Sequence, residues 1–227
     1  MVQRGGLARP VGRHGQQRAS EYFGSRSRKA YGRPVARNRE FDVDVAVAAA
    51  MDVFRRKGYE GTSMRDLAEA TGLGSGSLYA AFGSKDGLYL AALDLYRQRY
   101  AAPLTDMLRA GNDARDVIRE VFVGVVDDIA RDSRRQACLI VGAAMERAHT
   151  DLRVAERLRS TTQSLEVALF DVLAEGQLRG QIPTARSARD LANFLVTSLQ
   201  GLRVMGAINP DRASLMRSAE VALTCLD

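Results

Sequence analysis

The stretch Ser63-Met64-Arg65-Asp66-Leu67-Ala68-Glu69-Ala70-Thr71-Gly72-Leu73-Gly74-Ser75-Gly76-Ser77-Leu78-Tyr79-Ala80-Ala81-Phe82 decides how the chain is read. It holds two short helical segments parted by Thr71-Gly72-Leu73-Gly74. Ser63 opens the first, because Ser-x-x-Asp is a capping-box pattern with Asp in place of the commoner Glu. Met64, Leu67 and Ala68 recur at helical spacing and form one apolar stripe. Gly72 can take the left-handed conformation that a tight reversal needs, and Leu73 is placed to be a buried hinge under both helices. The second segment, 75–81, starts with the slim polar trio Ser75, Gly76 and Ser77. Two helices joined by a Gly-containing turn form a helix-turn-helix, whose second helix enters the DNA major groove by its N-terminal end. Tyr79 lies where a phenol can reach a phosphate oxygen. An ordinary helical hairpin has the same spacing, so spacing alone leaves both readings open. In either case Leu67, Leu73, Leu78 and Phe82 are expected core.

Working outward, the pattern stays helical. Asp42 can cap a first helix carrying Ala46, Ala49, Ala50, Val53 and Phe54 at spacings of three and four, ended by Arg55-Arg56-Lys57 and Gly58. Ser84 caps a helix bearing Leu88, Leu90, Ala91, Leu93, Leu95 and Tyr96, which fades before Pro103. Further helices are expected near 103–110, 114–131, 135–148, 151–179, 187–208 and 211–226. The breaks fall at Gly111-Asn112, Asp132-Ser133, Thr150-Asp151, Gly180-Gln181-Ile182-Pro183 and Asn209-Pro210. No alternating strand pattern is present. The expected fold is all-α with nine to ten helices: a three-helix head over 40–85, then a helical body over 86–227.

Composition narrows the function. The net charge of +6 divides unevenly: residues 1–39 hold ten Lys/Arg and one acid, a net of +9, so the other 188 residues sum to −3. Positive charge is thus a property of the tail and not an argument for DNA binding by the body. The tail is rich in Gly, Arg, Ser and Gln and is expected to be disordered. It is either a solvated tail or an arm that contacts DNA. A third reading is a mis-assigned start, since Val35-Ala36-Arg37-Asn38-Arg39-Glu40 looks like the natural opening; a chain from Val35 carries about −1. Cys138 and Cys225 are far apart and no Cys/His cluster exists, so neither a disulfide framework nor a metal site is expected. No apolar run approaches membrane-spanning length and no secretory signal opens the chain, so a cytoplasmic protein without membrane contact is expected. No phosphate loop, nucleophile elbow or metal spacing points to an enzyme, and no cofactor is expected.

Residues 53–90 settle more than spacing does. They run through a helix ending in Gly58-Tyr59, then Gly61-Thr62-Ser63, Leu67-Ala68-x-x-x-Gly72, Ser77-Leu78-Tyr79-x-x-Phe82 and Ser84-Lys85. This pattern resembles the N-terminal DNA-binding domain of the TetR/AcrR family of repressors. The resemblance implies that Thr62 and Ser63 cap the second helix and bond a phosphate. It implies phosphate contacts from Tyr79 and Lys85, with Ser75, Gly76 and Ser77 facing base edges. Arg37 and Arg39 would sit where an arm reaches the minor groove. The chain departs from the family pattern at Gly74, in place of a Ser cap, at Ser75, where Lys or Arg is common, and at Ala80-Ala81, where bulkier residues precede the Phe. Bidentate Arg–guanine readout is therefore unavailable from this helix, leaving small-residue contacts, water and DNA shape.

The resemblance also implies a homodimer on a palindromic double-stranded operator, released by a small-molecule inducer that the sequence does not identify. The candidate dimer interface is Leu191, Leu195, Ser198, Leu199, Leu202, Leu215, Ala219 and Ala222; these faces can equally pack inside one chain. Candidate pocket residues are Phe122, Val126, Ile129, Cys138, Met145, Phe170 and Phe194, each of which also reads as plain core. Cys138 is in addition a candidate redox- or electrophile-sensing thiol, with Arg134 and Arg135 near in sequence; the alternative is a small buried hydrophobe. A non-specific DNA-binding protein is a remote alternative that the −3 body disfavours.

Overall fold

Asp42 starts the first helix as its side chain suggests: its carboxylate accepts the backbone N–H groups of Asp44 and Val45. The computed structural model describes residues 42–132 and 137–227, and among these every regular element is helical. The expectations for residues 1–39, including Val35, Arg37 and Arg39, and those for Arg134 and Arg135 lie outside the described residues.

Helix α1 (Val43–Lys57) ends at Gly58, whose φ of +72° and N–H bond to Phe54 turn the chain away. Helix α2 (Met64–Thr71) carries the complete capping box. Ser63 Oγ accepts the N–H of Asp66 at 3.1 Å, and the Asp66 carboxylate accepts the N–H of Ser63 at 2.8 Å. Gly72 stops α2 in the left-handed region, φ +68° and ψ +13°. Helix α3 (Ser75–Phe82) follows, then α4 (Lys85–Tyr96), capped by Ser84 Oγ.

Two boundaries differ from the sequence expectation. The chain does not break before Pro103: a π-helical turn, Arg97–Ala101, leads directly into α5 (Ala102–Ala110). Pro103 sits in the first turn of α5, where a missing N–H leaves no helical bond unmade. Helix α7 (Leu139–Glu146) starts later than position 135, with Cys138 as its N-cap. The reason is Arg55, which exchanges bonds with Ala137: the Ala137 N–H donates to Arg55 O, and Arg55 Nε donates to Ala137 O at 3.2 Å. The remaining helices are α6 (Ala114–Arg131), α8 (Leu152–Leu178), α9 (Ala188–Ile208) and α10 (Arg212–Leu223), ending in a 3-10 turn, Thr224–Leu226.

The buried side chains form two clusters. The first joins α1–α4 to α7 and the start of α8, and is rich in aromatics: Phe54 and Tyr59 meet the ring of Tyr89 edge-on at 4.8 and 4.9 Å. The second, from α5, α6, the rest of α8, α9 and α10, is aliphatic, with Phe122 its one fully buried ring among the described residues. Each fully buried Leu or Val there contributes about 1.5–3 kcal/mol relative to exposure.

The second cluster takes up six of the eight candidate dimer-interface residues. Leu191, Leu195, Leu199, Leu202, Leu215 and Ala219 are at most 5% exposed within one chain. They are the inner face of α9 and α10 and have no surface to offer a partner. Ala222 packs against the same cluster, and Ser198 is half-buried, its hydroxyl donating to Phe194 O on its own helix. The outer face of α9 is the opposite stripe: Phe194, Gly201, Val204, Met205 and Ile208, all exposed. With apolar stripes on both faces, α9 reaches a mean hydropathy of 1.3 and is long and apolar enough to cross a membrane by length and composition, although its sequence holds no unbroken apolar run of that length.

Candidate nucleic-acid interface

Helix α3 is held from beneath and bare above. Leu78 is buried against Leu67, while Leu73 and Phe82 pack half-buried on the same cluster. Ser75, Gly76, Ser77, Tyr79, Ala80 and Ala81 face outward. Gly74 caps α3 with its backbone alone: its carbonyl accepts the N–H groups of Ser77 and Leu78. The first N–H groups of a helix have no internal acceptor, so this end of α3 can receive a phosphate or a base edge. A methyl group at Gly74 or Gly76 would meet nothing within 4 Å. The fold does not require glycine at either position; what glycine does there is thin the surface, letting another molecule approach the backbone.

Tyr79 on α3 itself, and the ends of the helices packed on it, supply the other candidates. Tyr79 is 49% exposed, with its ring available. Lys85, in the first turn of α4, is half-buried, and its ammonium lies 4.1 Å from the centre of the Tyr59 ring. That contact fixes the stem near the head surface. Ser63 starts α2, but its hydroxyl already donates to Asp66 at 2.7 Å. Asp66 is held well below the usual carboxylate range, first by Lys57 at 2.6 Å and then by Ser63. A phosphate at this helix end must therefore compete with a resident carboxylate. Thr62 departs from its expected place. It is 2% exposed, and its hydroxyl donates inward to Gly58 O at 2.6 Å. It pins the turn between α1 and α2, and Ser63 alone caps.

The residues that tie the end of α7 to the turn after α1 carry little signal in the sequence. One carboxylate oxygen of Glu146, the last residue of α7, accepts the N–H of Tyr59 at 2.6 Å and that of Glu60 at 3.1 Å. Arg147 lies over the Tyr59 ring at 4.3 Å and donates to Asp86 at 3.2 Å and Asp151 at 3.4 Å. The Tyr59 hydroxyl bonds Asp86. Burial, and then this bond, raise the Tyr59 phenol to about 12. A Glu-Arg pair closing a short apolar helix is the only local signal, and such pairs are common on surfaces.

A cavity of about 420 Å3 opens where α1, α4, α6 and α9 meet. Its lining includes two of the candidate pocket residues, Ile129 and Cys138. The other five lie elsewhere. Phe122 and Val126 are sealed in the aliphatic core, Met145 is 77% exposed, Phe194 stands on the outer face of α9, and Phe170 packs half-buried under Arg189. Beside the apolar Leu104, Val125 and Ile129, the cavity is lined by Arg55, Tyr96, Tyr100, Arg203 and the small Gly206. The Cys138 thiol accepts a 3.4 Å bond from the Tyr96 hydroxyl and is 8% exposed. Among the described residues, no group of three or more His, Cys, Asp or Glu side chains is placed to hold a metal ion.

Comparison with known proteins agrees with this geometry. Residues 46–92 match the family described as bacterial regulatory proteins, tetR family, and residues 114–221 match the tetracyclin repressor-like C-terminal domain. The chain is 32% identical over 197 residues to the HTH-type transcriptional regulator YezE of Bacillus subtilis (strain 168), covering 85% of this chain and all of that protein. It is 31% identical over 200 residues to the HTH-type transcriptional repressor ComR of Escherichia coli (strain K12), covering 88% and 92%. Among solved structures it is similar to a cysteine mutant of the TetR family regulator CifR in complex with 26-bp operator DNA. The TM-score is 0.76 at 32% identity, over 84% of this chain and all of that one. The chain belongs to the TetR family of bacterial transcriptional regulators.

Proposed function

We propose that the chain is a cytoplasmic homodimeric repressor, not an enzyme, that grips a palindromic operator with α3 and is released when a small molecule occupies the cavity between α1, α4, α6 and α9. The observation that carries this reading is the outer surface of α3: slim polar residues and two glycines that the fold does not demand, backed by a rigid core. Ser75, Gly76 and Ser77 face the bases; Tyr79, Lys85 and Ser63 take phosphates. The head comprises residues 40–85 and the sensing and dimerising body 86–227.

Dimerisation uses the outer face of α9. A helix with apolar stripes on two opposite faces needs cover on both, and here the second layer comes from a second copy through Phe194, Val204, Met205 and Ile208. An apolar stripe of this length does not stay in water on a stable monomer. Two copies then present two recognition helices to half-sites about one helical turn apart, or a multiple of it.

Release follows from the position of α7. Its first turn, at Cys138, borders the cavity, and its last, at Glu146 and Arg147, holds the Tyr59–Glu60 turn of the head. Arg55 ties the cavity wall to α1 through Ala137 and Asp132. A ligand that fits one posture of α7 better than the other shifts the head population by its differential affinity. The test is a salt titration of binding to the duplex upstream of this protein's own gene and to random duplex. The expected affinity ratio is at least about 1,000-fold at physiological salt; a ratio near one refutes sequence-specific repression.

A further inference from the structure

We propose that the cavity takes a small organic acid: one carboxylate, received by Arg203, on an aromatic or short aliphatic body. The inference rests on the reading above that a small molecule governs this protein, and it names the chemical class.

Charge on the cavity wall carries the argument. Four arginines (Arg55, Arg99, Arg131 and Arg203) face two aspartates, Asp128 and Asp132, so the lining has a net charge of +2. Ion pairs account for two of the four arginines. Arg55 is committed to Asp132 at 3.5 Å, to Ala137 O and to the Tyr100 hydroxyl. Arg131 is held by Asp127 at 2.9 Å and Asp128 at 3.9 Å. Among the described residues no carboxylate lies within 4.0 Å of Arg203 or Arg99. Arg203 Nη1 donates to the Gln200 side chain on its own helix at 3.5 Å. Arg203 is half-buried. A guanidinium withdrawn from water ordinarily has an anion facing it, and here the space in front of it is the cavity.

The rest of the wall defines the body of the ligand. Leu104, Val125, Ile129 and Ala207 are apolar, and the stacked rings of Tyr96 and Tyr100, 4.7 Å apart, form one side. A methyl group at Gly206 would collide with the Ile129 side chain, so glycine there sets how closely α9 approaches α6 at the cavity edge. The volume of about 420 Å3 is within the roughly 300–1,000 Å3 typical of small-molecule sites. The planar fork of an arginine matches a carboxylate with two parallel hydrogen bonds. An amide of the same shape offers one acceptor and a mismatched NH2, and an amine is repelled.

The test uses the full chain and calorimetry with octanoate and 4-phenylbutyrate, their primary amides, and octylamine. Each acid is expected to bind at least about tenfold more tightly than its amide, with octylamine weaker still. In Arg203→Gln, acid affinity falls to that of the amide while amide affinity is kept; the melting temperature of the unliganded variant shows whether it is folded. Arg99→Gln serves as the second variant, with a smaller loss in the same direction. Equal affinities of acid and amide, no binding of either acid, or an Arg203→Gln protein that still prefers the acid overturns the proposal. Operator affinity is read separately. Acid binding that leaves operator affinity unchanged supports the proposal and refutes the regulatory reading. Release of the operator by amides but not by acids does the reverse.

Discussion

The two buried clusters are built from different materials. The one beneath α3 is aromatic and edged with charge: Phe54, Tyr59 and Tyr89 pack together, with Glu146, Arg147 and Asp86 around Tyr59. The one between α6, α8, α9 and α10 is aliphatic, with no tyrosine among its described members. Apolar packing is non-directional and holds a shape. Charge-assisted bonds are directional and can be exchanged for others. The aliphatic cluster is therefore expected to hold its shape and the contacts around Tyr59 to exchange. One orphan marks that joint: Arg147 Nε is buried and no acceptor faces it among the described residues. Such a group costs about 1–3 kcal/mol, which keeps the clamp from being a deep minimum.

The largest effects should separate the clusters. Leu169→Ala removes a side chain that is 0% exposed in the aliphatic cluster, at an expected cost of about 2–5 kcal/mol. Chemical denaturation should show that loss while operator affinity per folded molecule is retained. Leu67→Ala, also 0% exposed, should cost a similar amount, but amide exchange should rise in α1–α3 and operator affinity should fall. Equal exchange in both clusters would show that they unfold as one unit and break the comparison.

Gly58→Ala acts on the joint. Its φ is +72°, and an added methyl would collide with the Glu146 carboxylate. The expected loss is about 1–3 kcal/mol, together with freed N–H groups at Tyr59 and Glu60. Operator affinity should drop further than this stability loss alone produces. A variant with wild-type operator affinity would remove Glu146 from the coupling.

Alkaline titration is a gentler probe of the same difference. The folded Tyr59 phenol titrates at about 12 against 10 for an unfolded tyrosine. Folding thus favours the neutral phenol. That contribution is complete below about pH 10 and is lost as pH rises through 12. Burial raises the phenol of Tyr89 as well, so near-ultraviolet circular dichroism should show the aromatic cluster loosening in this window while far-ultraviolet helicity of the body persists. Simultaneous loss of both signals would count against the distinction.

The smallest expected effect is at the surface. Tyr79→Phe removes one phenolic donor from α3. Binding should weaken by about 0.5–1.5 kcal/mol on operator and random DNA alike, because a phosphate contact carries no sequence information. A change confined to the operator would assign Tyr79 to base reading.

The sequence revealed what is local. Caps at Asp42, Ser63 and Ser84 and the reversal at Gly72 were legible because each depends on a few adjacent residues. Pro103 misled, because a proline is read as a break yet fits the first turn of a helix. Periodicity showed that α9 has apolar faces but not which one its own chain covers, since Leu195 and Phe194 differ only in what packs on them. Thr62 and Ser63 are neighbours with similar hydroxyls, and only the close approach of Gly58 O sends one inward. The cavity was missed for the same reason: Phe122 fills space, whereas Arg203 and Gly206 border it.

Paired reading of DNA by two copies of α3 is tested most directly by footprinting the protein on the region upstream of its own gene. A protected, pseudo-palindromic site with two half-sites about 10 bp apart, or a multiple of that spacing, is the predicted result, and Ser75→Ala or Ser77→Ala should alter protection at symmetric positions. A single unpaired half-site, or protection that vanishes in excess random DNA, would contradict it.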